Sequence, residues 1–207
     1  MTPSMRSPET DLHHRTDTKE AGRHTARHGH QGAADRRLRT RQITVAAVFA
    51  VLALLMSYLE FLIPISIGVP GVKLGLANLI ILIALYEMGL RWAALINLVR
   101  ILLAGLLFTG VFAMLYSLAG AFISLLLMWT LMKSGRFSMI GVSMAGGVAH
   151  NFAQLLVAAL IVETAQMFLY FPVLLFSGIA AGIAMGIIAL IIDRRLAKTV
   201  FRSRPLS

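Results

Sequence analysis

Residues 71–86 read Gly71-Val72-Lys73-Leu74-Gly75-Leu76-Ala77-Asn78 and then Leu79-Ile80-Ile81-Leu82-Ile83-Ala84-Leu85-Tyr86. The second half is an unbroken apolar run of the kind that enters a bilayer. The first half sets a lysine, two glycines and an asparagine at the start of that run, positions a lipid-facing helix would not spend on packing alone. An ammonium in hydrocarbon needs water, an anion or a carboxylate. Glycine lets another backbone or a ligand come close, and Asn78 carries donors and an acceptor deeper. The stretch reads as one wall of a polar pocket inside a membrane protein.

The rest of the chain agrees with a membrane setting. Of 207 residues, 58% are hydrophobic and only 14% charged, and the mean hydropathy is +0.80. Soluble domains run at roughly 45–50% apolar and about 25% charged. Nine of the 19 Lys and Arg lie in residues 1–42 and five follow Asp193, so the net charge of +10 sits mostly in two tails. The other five are Lys73, Arg91, Arg100, Lys133 and Arg136. A charge so placed marks a cytoplasmic membrane face and excludes a nucleic-acid-binding domain. Without cysteine the chain builds no disulfide, thiolate zinc site or iron–sulfur cluster.

Outward from residue 71, six apolar segments are expected, at 43–62, 72–86, 92–108, 111–132, 139–162 and 172–192. Each is near the ~20 residues that span a bilayer, the second being short. Pro64, Gly68, Pro70 and Gly71 break the first connection, Gly89 the second, Thr109-Gly110 the third and Lys133-Ser134-Gly135-Arg136 the fourth. The expected domains are a disordered cytoplasmic tail at 1–40, a six-helix transmembrane domain at 41–195 and a basic cytoplasmic tail at 196–207. His13, His14, His24, His28 and His30 fall in the first tail. No spacing there is backed by a fold, so no metal site and no cofactor are expected.

Orientation follows from the basic residues. With the N-terminus inside, the inner connections hold Arg91, Lys133 and Arg136, and the outer ones, near 63–71, 109–110 and 163–171, hold none. Both termini then lie in the cytoplasm, as six crossings of the cell membrane require. Tyr86, Trp92 and Trp129 fall at the inner interface. Tyr58, Phe61, Phe168, Tyr170 and Phe171 fall at the outer one.

That topology predicts where the polar groups meet. Arg100 lies halfway along the third span, and His150 and Asn151 halfway along the fifth, with Gln154 one turn further out. Glu60 ends the first span, and Lys73 and Asn78 open the second. Glu60, Lys73, Asn78, Arg100, His150, Asn151 and Gln154 are therefore the candidate substrate-binding residues, cations holding an anion and amides giving direction. The opposed reading is a set of internal ties, with Glu60 paired to Arg100 or Lys73. Small residues recur as well. Ala46-x-x-x-Ala50 on the first span and Gly178-x-x-x-Gly182-x-x-x-Gly186 on the sixth suit close helix packing or, alternatively, docking of another membrane subunit.

These residues form a series with Pro64, Pro70-Gly71-x-Lys73-Leu74-Gly75-Leu76-Ala77-Asn78, Tyr116-Ser117-x-x-Gly120, Ser124, Gly141-x-Ser143 and His150-Asn151-x-x-Gln154. Over residues 43–192 the series resembles the membrane family known both as heptaprenyl diphosphate synthase component I and as Gx transporter proteins. That family in turn resembles the S components of energy-coupling factor (ECF) transporters. The resemblance implies an all-α bundle of six transmembrane helices with a ligand in its outer half. It implies gating by the first connection, here Pro64, Pro70 and Gly71. It also implies docking of a separate coupling subunit, which works with two ATPase chains, at Ala46 and Ala50.

Three functions are compared. The first is an S-component-like subunit that takes up a small anionic molecule. The second is a non-catalytic membrane subunit linked to heptaprenyl diphosphate (isoprenoid or quinone) synthesis. The third is a membrane scaffold for an extracytoplasmic flavin or electron-transfer system. The synthase name implies an enzyme, yet no catalytic motif is legible. Prenyl transfer holds magnesium on aspartate-rich motifs, whereas the acids from Ile43 onward are Glu60, Glu87, Glu163 and Asp193, with no clustered pair.

Overall fold

The computed structural model describes residues 36, 38–63 and 74–199, with side chains as far as residue 195. The tail over 1–35, the end of the chain beyond 199, and Lys73, Pro64, Pro70 and Gly71 lie outside the described residues. Among the described residues there are helices and no strand. They are α1 (Leu38–Leu62), α2 (Leu76–Met88), α3 (Leu90–Ala104), α4 (Val111–Ser134), α5 (Met139–Val162) and α6 (Phe171–Thr199). A wide turn, Gly105–Thr109, extends α3, and a short 3₁₀ turn, Ala165–Tyr170, precedes α6. Helix thus begins inside the expected first tail and α6 runs past the expected boundary at 195.

The chain divides into two units, Met1–Val45 and Ala46–Ser207. Among its described residues the first holds the exposed start of α1. There the hydroxyls of Thr40 and Thr44 donate to the carbonyls four residues back, at 2.9 and 3.0 Å. The second unit holds everything that follows.

Five stretches are long and apolar enough to cross a membrane: Leu38–Leu62, Leu90–Thr109, Val111–Ser134, Met139–Val162 and Ala165–Arg195. This is the make-up of a multi-pass membrane protein. Large apolar side chains such as Val51, Leu55, Leu106, Phe122, Leu160 and Phe176 stand exposed on it, which suits a surface that meets lipid. The helix α2 differs. Its 13 residues rise about 20 Å, less than the ~30 Å of hydrocarbon. Ala77 and every residue from Leu79 to Leu85 are buried. A helix apolar on all sides belongs in the interior. Ile81, Leu82 and Leu85 share the core with Ile96, Met128 and Val142.

Local chemistry sets the ends. Gly75, at φ 76°, turns the chain into α2 through a left-handed conformation that side chains resist. Ser138 caps α5, its hydroxyl accepting from the Gly141 N–H at 3.2 Å. Lys133 sits in the last turn of α4, where a cation faces the negative end of the helix dipole.

The glycine row on α6 packs inside the chain. A methyl built on Gly182 would stand 2.5 Å from the Met144 Cα, and one on Gly186 2.8 Å from the Ile140 Cα. Likewise, one on Gly178 would stand 3.1 Å from the Gly147 carbonyl. The two backbones touch over about two turns, and α5 against α6 is the most extensive pairing among α2 to α6. Ala46 is 6% exposed and belongs to the core. Ala50 is half-buried against that core. Of the pair expected to dock a partner, Ala46 is thus taken into the chain's own core and Ala50 partly so. Tyr86, Trp92 and Trp129 also pack on the core. Tyr58 and Phe61 are exposed and lay their rings on Phe108, with centroids 5.5 and 5.3 Å away.

Candidate functional site

Arg100 projects from α3 toward α1. Its Nε and Nη2 donate to Asn97 Oδ1, at 3.1 and 2.8 Å, and Nη1 donates to Ser57 Oγ at 3.0 Å. Asn97 is one turn before Arg100 on the same helix, the spacing at which helical side chains meet, and it is buried. Ser57 in turn donates to the Ala53 carbonyl at 3.0 Å. The guanidinium is thereby held by two neutral groups on two helices.

Glu60 lies one turn beyond Ser57. Its Oε1 accepts from the backbone N–H of Gly75 at 2.6 Å, so α1 is tied to the entry of α2. Asn78 is half-buried one turn into α2. Past Arg100 the helix widens, the Gly110 N–H reaching the Gly105 carbonyl five residues back at 3.0 Å. Wide turns of this kind recur beside functional sites.

A second polar group lies among α4, α5 and α6. His150 and Gln154 share one face of α5, as their spacing predicts, and that face meets Gly120 of α4. A methyl on Gly120 would lie 2.9 Å from His150 Nδ1 and from Gln154 Cγ. One turn further along α4, Ser124 Oγ donates to the Gly146 carbonyl at 2.8 Å. Asn151 turns the other way. Its Nδ2 donates to the Leu174 carbonyl at 2.8 Å and to Ser177 Oγ at 3.4 Å, both on α6. Adjacent residues on a helix differ by about 100° in direction, so His150 and Asn151 serve different neighbours. Asn151 acts here as an interhelical tie.

The structure therefore gathers Glu60 and Arg100 at α1–α3, and His150 and Gln154 at α4–α5, with Asn151 against α6. Sequence reasoning missed Ser57 and Asn97. The signal was present, since each is a polar residue within an apolar span and one turn from a charged one. Gly120 stood in the motif series without a site role, and it makes the room in which His150 and Gln154 sit. Ser143 Oγ is buried with no hydrogen-bond partner among the described residues. No group of three or more metal-ligating side chains occurs among the described residues.

The family model for heptaprenyl diphosphate synthase component I matches residues 49–192. The chain belongs to that family. The matched region runs from the middle of α1 into α6 and takes in every polar residue just described. The first tail and Ala46 lie outside it. No curated protein and no solved structure matches the chain. Among the described residues of this heptaprenyl diphosphate synthase component I region, Arg100 with its two neutral partners is the most elaborated polar site.

Proposed function

We propose that this chain is an integral membrane subunit of the cell membrane that binds a small anionic molecule in the outer half of its bundle. It works in the manner of an S component and serves uptake. The observation that carries this is Arg100, a guanidinium midway along an apolar helix and directed onto α1 rather than to lipid. Such a group costs about 2.5–3.5 kcal/mol on insertion scales, and an anion recovers more than packing alone does. In this reading α2 completes six crossings, both termini are cytoplasmic, and Lys73 with His150 and Gln154 adds to the ligand's contacts. A coupling subunit and two ATPases are separate chains. The test is mass spectrometry of small molecules retained by the purified protein. An anionic metabolite held by the wild type and lost in a folded Arg100→Ala variant supports binding. A variant that merely unfolds, with no metabolite in either, rejects it.

The family's description favours a second reading, a non-catalytic membrane subunit of heptaprenyl diphosphate synthesis. Co-purification with a prenyl synthase, and loss of long-chain prenyl product on deletion, would select it over uptake.

A further inference from the structure

We infer that Asn97 is a positioning residue that orients Arg100 without cancelling its charge, and that the site so built takes an oxyanion, a carboxylate or a phosphate. This rests on the binding function proposed above and names its ligand class.

A guanidinium kept inside an apolar bundle only to staple helices is best served by a carboxylate bonded directly to it. Position 97 is where that carboxylate would stand. Aspartate offers the same Oδ1 acceptor on the same stem, one charge apart from asparagine. The chain has asparagine instead, 5% exposed and chelating the Nε–Nη2 edge at 3.1 and 2.8 Å. The third bond, from Nη1, goes to another neutral group, Ser57 Oγ, at 3.0 Å. The plane of the guanidinium is fixed from two sides while its charge is left in place.

Glu60, one turn beyond Ser57 on α1, is committed to α2. Glu60 holds the Gly75 N–H at 2.6 Å, at the end of α2 where the dipole places about half a positive charge. That carboxylate is engaged at the start of α2 while the guanidinium bonds neutral groups, so the local balance favours one more negative group. An oriented guanidinium fork suits two oxygens on one centre.

Full-length protein in nanodiscs of phosphatidylcholine, titrated with sodium phosphate and with sodium acetate, tests this. Asn97→Asp keeps the acceptor and adds a charge. It is expected to melt at or above the wild-type temperature without anion, yet to bind phosphate or acetate about tenfold more weakly or worse. A purely stapling Arg100 would move only the melting temperature. Wild-type affinity in Asn97→Asp, or no binding of either probe by the wild type, overturns the inference. Should Asn97→Asp fail to fold, Ser57→Ala serves. Weakened anion binding with the fold retained supports the inference, and unchanged binding overturns it. Added phosphatidylglycerol that competes with phosphate marks a lipid headgroup as the natural source, and absence of competition marks a soluble anion. If purified wild type and Asn97→Asp retain the same anionic metabolite equally, the inference fails while the binding function stands. If the wild type retains none, the binding function itself fails.

Discussion

The carboxylate of Glu60, near the end of α1, accepts a 2.6 Å hydrogen bond from the backbone N–H of Gly75, where α2 begins. An acid chosen from sequence as a ligand contact is thus also the clasp between the first two helices. A charge-assisted bond of this kind is stronger than its neutral counterpart. Glu60→Gln, which leaves an acceptor without the charge, is expected to cost about 1–2 kcal/mol. Thermal unfolding in detergent measures it. An unchanged melting temperature would show that the clasp contributes nothing.

The α5–α6 contact predicts a graded response to glycine replacement. Gly182→Ala drives a methyl to 2.5 Å from the Met144 Cα, a backbone atom that cannot swing aside. It should cost about 1–3 kcal/mol through overpacking. Gly135, at φ 66° with nothing within 4 Å of its added methyl, is the control. Gly135→Asn should cost under about 1 kcal/mol, since asparagine accepts the left-handed conformation. Melting temperatures of both variants check the order.

Gly120→Ala separates stability from site geometry. Its methyl would meet the imidazole of His150 and the Cγ of Gln154 at 2.9 Å, and these side chains can shift. A modest loss of stability, about 1 kcal/mol, is expected. Retention of any small molecule that co-purifies should fall by a larger factor than Leu160→Ala, on the exposed face, produces. Equal retention in the two variants would remove His150 and Gln154 from the site.

The six-crossing topology is open to single-cysteine labelling, because the chain has no cysteine of its own. Ile63→Cys and Gln166→Cys should react with an impermeant maleimide from outside intact cells. Arg91→Cys and Ser134→Cys should react only after permeabilisation. All four positions are exposed. Labelling of Ile63→Cys and Arg91→Cys from the same side would mean that α2 does not cross.

Much of the helical frame is legible in the residues. The span expected at 139–162 coincides with α5, because Ser138 supplies a cap at one end and a glutamate stops the apolar run at the other. The place of Arg100 midway along the apolar stretch Leu90–Thr109 and the shared face of His150 and Gln154 also follow from helical spacing. Three things do not. An all-apolar run such as Leu79–Leu85 has no periodicity to say whether lipid or protein surrounds it, and tertiary packing alone buries α2. The glycine row on α6 suits internal packing and docking equally well until the α5 backbone is seen against it. Whether Arg100 meets a carboxylate or neutral partners is likewise unreadable from one strand of sequence. Asn97 is near in the chain, but Ser57 is 43 residues away.

By itself, then, the sequence determined where the apolar spans lie and which of them carry charge, since these depend on hydropathy and spacing within a single helix. The tertiary structure decided which faces meet, and so which polar groups become ties and which remain a site, because contacts between helices depend on rotation about each axis. A step of one residue turns that rotation by about 100°. That step separates His150, set against Gly120, from Asn151, bound to Leu174.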